Sequence, residues 1–207
     1  MNTESIFQIT AIVLLVSGMS ISIYFRHRAF RAGIQSGDEI SARREERPLL
    51  LALRSVFGLA LWLGSMAYLI NPPWMEWSQL PLPVWIRWAG AGIGLLGVPL
   101  LYWVFSSLGR NVTRTTAIRK EHALVTYGPY RFVRHPLYSI GMLNFLGFCL
   151  LSANWFILVS ALVTFATILM RTPLEEQRLL EKFGNEYRNY MDRTGRYWPV
   201  INLKREA

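Results

Sequence analysis

Five stretches free or nearly free of charge alternate with polar segments along the chain. Ile6–Phe25 runs 20 residues without a charge, Leu49–Ile70 is broken once by Arg54, and Trp88–Ser107 is again 20 uncharged residues. Leu137–Ala153 and Trp155–Met170 are shorter, at 17 and 16 residues, with Asn154 between them. A helix needs about 20 apolar residues, with a range of roughly 17–25, to cross the hydrocarbon core of a bilayer. The first three runs meet that length, and the last two fit a tilted or locally thinned hairpin with Asn154 at its tip. Lipid admits only helices and closed barrels, and none of these runs has the alternation of a barrel strand. The expected fold is all-α and integral to the membrane, with about five transmembrane helices in a single domain over residues 1–207. Three spans and a linker occupy 1–106. A loop, a terminal helical hairpin and a cytoplasmic C-terminal helix occupy 107–207.

The polar segments carry their own signals. Arg26–Arg47 is a basic linker containing Gly33 and Gly37, suited to a surface helix or loop against anionic lipid heads. Pro72-Pro73 stops the second span. Trp74, Trp77, Trp85 and Trp88 around that turn fit an interfacial aromatic belt. Ser107–His135 is a long loop punctuated by Gly109, Gly128 and Pro129. Beyond Met170, Thr172 is expected as an N-cap with Pro173 at the first helical position. Glu175 and Glu176 would then sit in the first turn, where the helix dipole favours carboxylates. Leu179, Phe183 and Tyr187 recur at four-residue spacing and form one face, which Gly184 ends or bends.

Charge orients the chain. Of 22 Lys and Arg, seven lie between Arg26 and Arg54, six between Arg110 and Arg134, and eight between Arg171 and Arg205, leaving Arg87 alone. Five spans put the three basic segments on one face, which the positive-inside rule makes cytoplasmic, with the N-terminus outside. The net charge of +9 is therefore a topology signal, and no nucleic-acid partner is expected. Glu4 precedes the first run and the basic cluster follows it, the reverse of a cleaved signal peptide. The single cysteine, Cys149, excludes an intrachain disulfide and a multi-cysteine metal site. His122 and His135 lack a third ligand at useful spacing, so no metal is expected. The Asn111-Val-Thr113 sequon falls on the cytoplasmic face and is read as chance. Gly92, Gly94 and Gly97 match a dinucleotide-binding pattern, but inside an apolar helix they serve packing, as does the Gly90/Gly94 pair. Pro99 is expected to kink that span. The stripe serves contacts within or between chains equally, so oligomeric state is open.

The chemistry concentrates at the mouth of the hairpin. Tyr130, Arg134, His135 and Tyr138 are costly to place there as mere packing, and they imply a polar pocket at the membrane surface. Glu175 to Arg196 could close it from the other side. Tyr187, Tyr190, Tyr197 and Trp198 suit interfacial anchoring as well as a pocket. Four motifs act together: His122-x-Leu124-Val125; Gly128-x-Tyr130-x3-Arg134-His135-Pro136-x-Tyr138; Glu175-Glu176-x2-Leu179-x3-Phe183-Gly184-x2-Tyr187-x2-Tyr190; and Thr194-Gly195-Arg196-x2-Pro199. Over Ser107–Ile201 this combination resembles the isoprenylcysteine carboxyl methyltransferase family of integral membrane methyltransferases, including its prokaryotic members.

The resemblance implies an S-adenosylmethionine pocket. His122, Leu124, Val125, Gly128, Tyr130, His135, Tyr138 and Tyr187 would form its wall, with Glu175 and Glu176 near the cofactor's charged groups or the reacting centre. Arg134 would face the substrate, with Arg193 or Arg196 as a second cation. The partner implied is a lipophilic or lipid-linked methyl acceptor, a prenylcysteine-like carboxylate among the candidates. A carboxylate acceptor needs orientation by a planar arginine fork rather than a base. An amine or hydroxyl needs a base, for which Glu175 or Glu176 would serve. Arg-His-Pro-x-Tyr alone is shared with membrane sterol reductases and phospholipid N-methyltransferases. An NADPH-dependent reductase of sterol-like or enone lipids, and a non-enzymatic membrane scaffold, are the alternative readings.

Overall fold

The computed structural model describes residues 2–31, 48–109 and 123–200. The linker surface element expected at 32–47, the Asn111 sequon, His122, and residues from Ile201 onward fall outside them. Seven α-helices are described: α1 (Thr3–Arg31), α2 (Pro48–Ile70), α3 (Val84–Leu108), α4 (Pro136–Ser152), α5 (Trp155–Met170), α6 (Thr172–Phe183) and α7 (Asn185–Arg193). Short 3-10 turns lie at Pro72–Ser78 and Gly128–Arg131. By length and composition α1, α2, α3 and the run Trp155–Phe183, in which α6 continues α5, are able to cross a membrane. α4 is a shorter apolar helix of 17 residues. This is the all-helical, integral membrane architecture that the five charge-poor runs predict. Large apolar side chains such as Val16, Trp62, Leu96 and Leu162 face outward, where only lipid can accommodate so many.

Each arm of the α4–α5 hairpin packs on a different earlier helix. α4 lies on α3 so closely that a Cβ added to Gly90 would stand 2.7 Å from the Gly147 carbonyl and the Leu151 nitrogen. Small residues on both sides are what let two helices approach to backbone contact in lipid. The glycine stripe of α3 is thus a packing surface, as its setting in an apolar run indicates. α5 lies on α2, where Gly64 receives the Phe156 ring. α1 covers α3, with the Leu14 side chain seated at Gly94. Pro99 falls inside α3, which continues past it to Leu108.

At the hairpin tip Asn154 caps α5, its Oδ1 accepting from the Ile157 N–H at 3.1 Å. Its Nδ2 donates to Ser78 Oγ at 2.7 Å and to the Met75 carbonyl. The same end holds an ion pair between the buried Arg87 and the half-buried Glu4 that no sequence pattern announces. Arg87 donates from Nη1 to Glu4 Oε2 at 2.6 Å, from Nη2 to Oε1 at 2.9 Å, and from Nε to the Leu151 carbonyl at 2.9 Å. Its guanidinium also stacks over the Phe7 ring at 4.1 Å. This ties α1, α3 and α4 together at the end opposite the motifs.

At the other end the expected cap of α6 is corrected. Thr172 is the first helical residue and Arg171 stands at the cap position, with φ −91° and ψ −11°. The chain passes from α5 to α6 without opening into the extended geometry an N-cap needs, so Thr172 cannot fold its hydroxyl back onto the helix start. Gly184, at φ +54°, then breaks the helix, so that Tyr187 belongs to a separate α7. A positive φ is cheap only for glycine.

A candidate active site at the mouth of the hairpin

Three segments converge here: the turn from Gly128 to Tyr138, the first turns of α6, and α7 with the tail after it. Gly128, at φ +62°, lets the first segment turn tightly over the end of α3, where a Cβ would collide with Ser107 Oγ. The tail then pairs with this segment like a short parallel ladder. The Arg134 N–H donates to the Gly195 carbonyl at 2.8 Å, and the His135 N–H to the Arg196 carbonyl at 3.0 Å. Ser139 Oγ donates to the Tyr197 carbonyl at 2.7 Å, and Tyr190 Oη to the Tyr130 carbonyl at 2.6 Å.

Glu176 is the centre, its side chain 4 % exposed. Oε1 accepts from Arg134 Nε at 2.9 Å and lies 3.3 Å from His135 Nε2. Oε2 accepts from Arg196 Nε at 3.0 Å and from Nη2 at 2.5 Å. A carboxylate offers about four lone-pair sites, and all four are engaged. Arg134 is itself anchored, with Nη1 donating to the carbonyls of Met191 and Thr194. Its Nη2 has no hydrogen-bond partner among the described residues. Glu175 is different in kind: half-buried, it accepts from Tyr138 Oη at 2.9 Å on Oε2, and its other oxygen has no partner among the described residues. The Tyr138 ring stacks on His135 with centroids 5.5 Å apart and planes 6° from parallel.

The electrostatics follow from burial and these pairs. Arg196 holds its proton more tightly than usual, chiefly through its hydrogen bonds to Glu176. Burial raises the phenols of Tyr130, Tyr187 and Tyr190, so all three are neutral hydroxyls at physiological pH.

The structure brings Arg134, His135, Glu176 and Arg196 into one cluster, with Tyr138 and Glu175 beside it and the buried Tyr187 against it. It does not bring Arg193 there. That side chain is exposed, and its Nε donates to the Asn189 carbonyl one turn back. Val125 and Tyr130 pack with Val104, Leu137 and Ile140 in a small apolar cluster, and Leu124 is half-buried next to them in the chain. The sequence left Tyr190 between an anchoring and a pocket role and did not reveal its hydrogen bond to the Tyr130 carbonyl, nor the part played by the carbonyls of Met191 and Thr194. The Tyr187-x-x-Tyr190 spacing, which aligns both rings on one helical face, was the available signal for the first. Backbone acceptors leave no mark on residue type.

Fold and site define a helical membrane protein with a polar cluster of arginines and carboxylates at one end of the bundle. The family model for phospholipid methyltransferase matches residues 85–186. Protein-S-isoprenylcysteine O-methyltransferase B of Arabidopsis thaliana is 32% identical over 121 residues, covering 57% of this chain and 61% of that protein. The cobalt-zinc-cadmium resistance protein CzcN of Cupriavidus metallidurans is 30% identical over 127 residues, 58% of this chain and 56% of its own. Methanethiol S-methyltransferase 1 of Bradyrhizobium diazoefficiens is 27% identical, over 60% of this chain and 48% of its own. The chain thus spans about half to three-fifths of the length of these relatives. The fold is similar to that of a eukaryotic intramembrane Ras methyltransferase, isoprenylcysteine carboxyl methyltransferase. That match has a TM-score of 0.52 and 23% identity, and covers 71% of this chain and 52% of the other. Across these comparisons the chain is similar to membrane methyltransferases, the isoprenylcysteine carboxyl methyltransferases among them.

Proposed function

We propose that the protein transfers a methyl group from S-adenosylmethionine to a lipophilic or lipid-linked acceptor at the cytoplasmic membrane face. The observation that carries this reading is the pairing of an arginine-held carboxylate, Glu176, with a partly free one, Glu175, where the apolar hairpin ends. A charged water-soluble cofactor and an apolar acceptor can meet at such a boundary and at few other places in a bilayer protein. The location of 21 of 22 basic residues supports a cytoplasmic site and an outside N-terminus.

The residues present suit the cofactor. Glu175 has an uncommitted, half-buried carboxylate oxygen fit for an ammonium or sulfonium charge. The stacked His135 and Tyr138 rings offer a flat wall. When bound, S-adenosylmethionine supplies a methyl group on a positively charged sulfur. The protein's own contribution is placement and exclusion of water. Glu176 holds Arg134 and Arg196 in fixed directions. Arg134, through Nη2, is the donor free to orient an acceptor oxygen or thiolate. Because Glu176 is saturated, Glu175 is the carboxylate available to an amine, hydroxyl or thiol acceptor that must lose a proton.

The test uses the purified protein in mild detergent. Calorimetry compares S-adenosylhomocysteine with NADPH, and labelled-methyl transfer is measured to N-acetyl-S-farnesylcysteine, methanethiol and extracted phospholipid. Saturable binding of S-adenosylhomocysteine with transfer to one of the three is the expected result, and the acceptor labelled identifies the class. Binding of NADPH alone would replace this reading with a reductase.

A further inference from the structure

Among the described residues two buried side-chain hydroxyls have no hydrogen-bond partner: Thr172 Oγ1 and Tyr187 Oη. Thr172 opens α6 next to Arg171, which meets the Tyr138 phenol. Thr172 and Glu176 are four residues apart and are the two buried residues of α6, so they share its inward face. Tyr187 approaches from α7 and lies within electrostatic reach of Glu176, Arg134 and Glu175. A buried hydroxyl with nothing to bond to costs stability, and native chains keep very few of them. Two such hydroxyls, on residues 0 % and 1 % exposed, one a helical turn from Glu176 and the other within its electrostatic reach, are hard to explain as packing.

From this we propose that Thr172 and Tyr187 are ligand-binding residues, whose hydroxyls hold the polar head group of the acceptor rather than the cofactor. The inference rests on the methyl-transfer reading. Its direction comes from the order of the chain: α6 continues α5 outward from the apolar slab, so Thr172 lies one turn nearer the slab than Glu176. A lipophilic acceptor arrives from the slab, and the water-soluble cofactor from the other side. The first fixed polar atoms the acceptor head meets are therefore Thr172 Oγ1 of α6 and Tyr187 Oη of α7. The acceptor class this fits carries two hydrogen-bonding atoms at the head of an apolar body.

Thr172→Val and Tyr187→Phe remove one hydroxyl each with little change of shape. Whichever of the three acceptor probes the wild type methylates is then titrated against each variant, alongside S-adenosylhomocysteine calorimetry and thermal unfolding without ligand. The expected result is a rise of about tenfold in KM for the acceptor in each variant, the size of one hydrogen bond to a buried group. Affinity for S-adenosylhomocysteine should be unchanged and the melting temperature equal or higher. Thr172→Ser, which restores the hydroxyl, should restore KM. An unchanged acceptor KM in both variants overturns the inference and leaves the methyltransferase reading standing. Weakened S-adenosylhomocysteine binding together with a lower melting temperature assigns the hydroxyls to structure or cofactor, and overturns it too. No transfer to any probe by the wild type would take down the functional reading and this inference with it.

Discussion

Replacing Glu176 with glutamine keeps the volume of the side chain and removes its charge. The consequence is dominated by Arg134, whose side chain is 10 % exposed and would be left as a buried cation with its counter-ion gone. Breaking a buried pair from one side costs about 3–5 kcal/mol. The glutamine oxygen can still accept one bond, and Arg134 keeps the carbonyls of Met191 and Thr194, so the lower end, about 3 kcal/mol, is the expected loss. Arg196 adds little, because its side chain is 42 % exposed and water replaces the carboxylate at small cost. For a chain of this size about 3 kcal/mol corresponds to roughly 6–12 °C in melting temperature. Glu175→Gln, by contrast, disturbs one bond to Tyr138 at a half-buried site and should cost about 1 kcal/mol or less while lowering methyl transfer sharply. The assay is thermal unfolding in one detergent for both glutamine variants, with double-mutant cycles of Glu176→Gln against Arg134→Met and against Arg196→Met. Coupling of about 1.5–3 kcal/mol to Arg134 and under about 1 kcal/mol to Arg196 is expected. Equal losses for the two carboxylates, or stronger coupling to Arg196, would refute the assignment of Glu176 as keystone and Glu175 as the free group.

Three further outcomes are expected. Glu4→Ala orphans the buried Arg87 and should cost about 2–3 kcal/mol by thermal unfolding, while adding Arg87→Met should recover at least half of that by removing the stranded charge. Asn154→Ala removes the cap of α5 and the bonds to Ser78 and Met75, so a loss of about 2 kcal/mol is expected, with no change in S-adenosylhomocysteine affinity at the distant end. Gly147→Val places a side chain 2.8 Å from the Gly90 carbonyl and the Gly94 nitrogen, and size-exclusion profiles in detergent should show aggregation or loss of the folded peak.

The helices were legible because crossing lipid leaves a crude and unambiguous trace: Ile6–Phe25 and Trp88–Ser107 contain no charge, and the glycines of α3 lie in an apolar run where phosphate binding is impossible. The hairpin tip was legible for the same reason, Asn154 being the polar break between two short runs. The boundary at Thr172 was misplaced because a threonine before a proline looks like a cap whether or not the chain opens there, and here the preceding helix runs straight in. Arg87 looked solitary because its partner, Glu4, lies 83 residues away, and neither periodicity nor spacing links them. Residue types near the site pointed to Arg134, His135, Glu175 and Glu176 as a group. Their division of labour was not legible: adjacent glutamates look alike in sequence, and only the geometry puts one among two arginines and a histidine and the other beside a phenol. Choosing Arg196 over Arg193 likewise depends on where the tail turns after α7.

The pairing of residues 134–135 with 195–196 sets an order of events during biosynthesis. Arg134 and His135 emerge from the ribosome before the hairpin that follows them, yet their backbone partners are the Gly195 and Arg196 carbonyls, about 60 residues later. Every apolar helix is synthesised before the segment that closes over this turn exists. A nascent chain therefore carries the Arg134–His135 turn without its backbone partners until those last residues are made, and the cluster around Glu176 is completed in one late step.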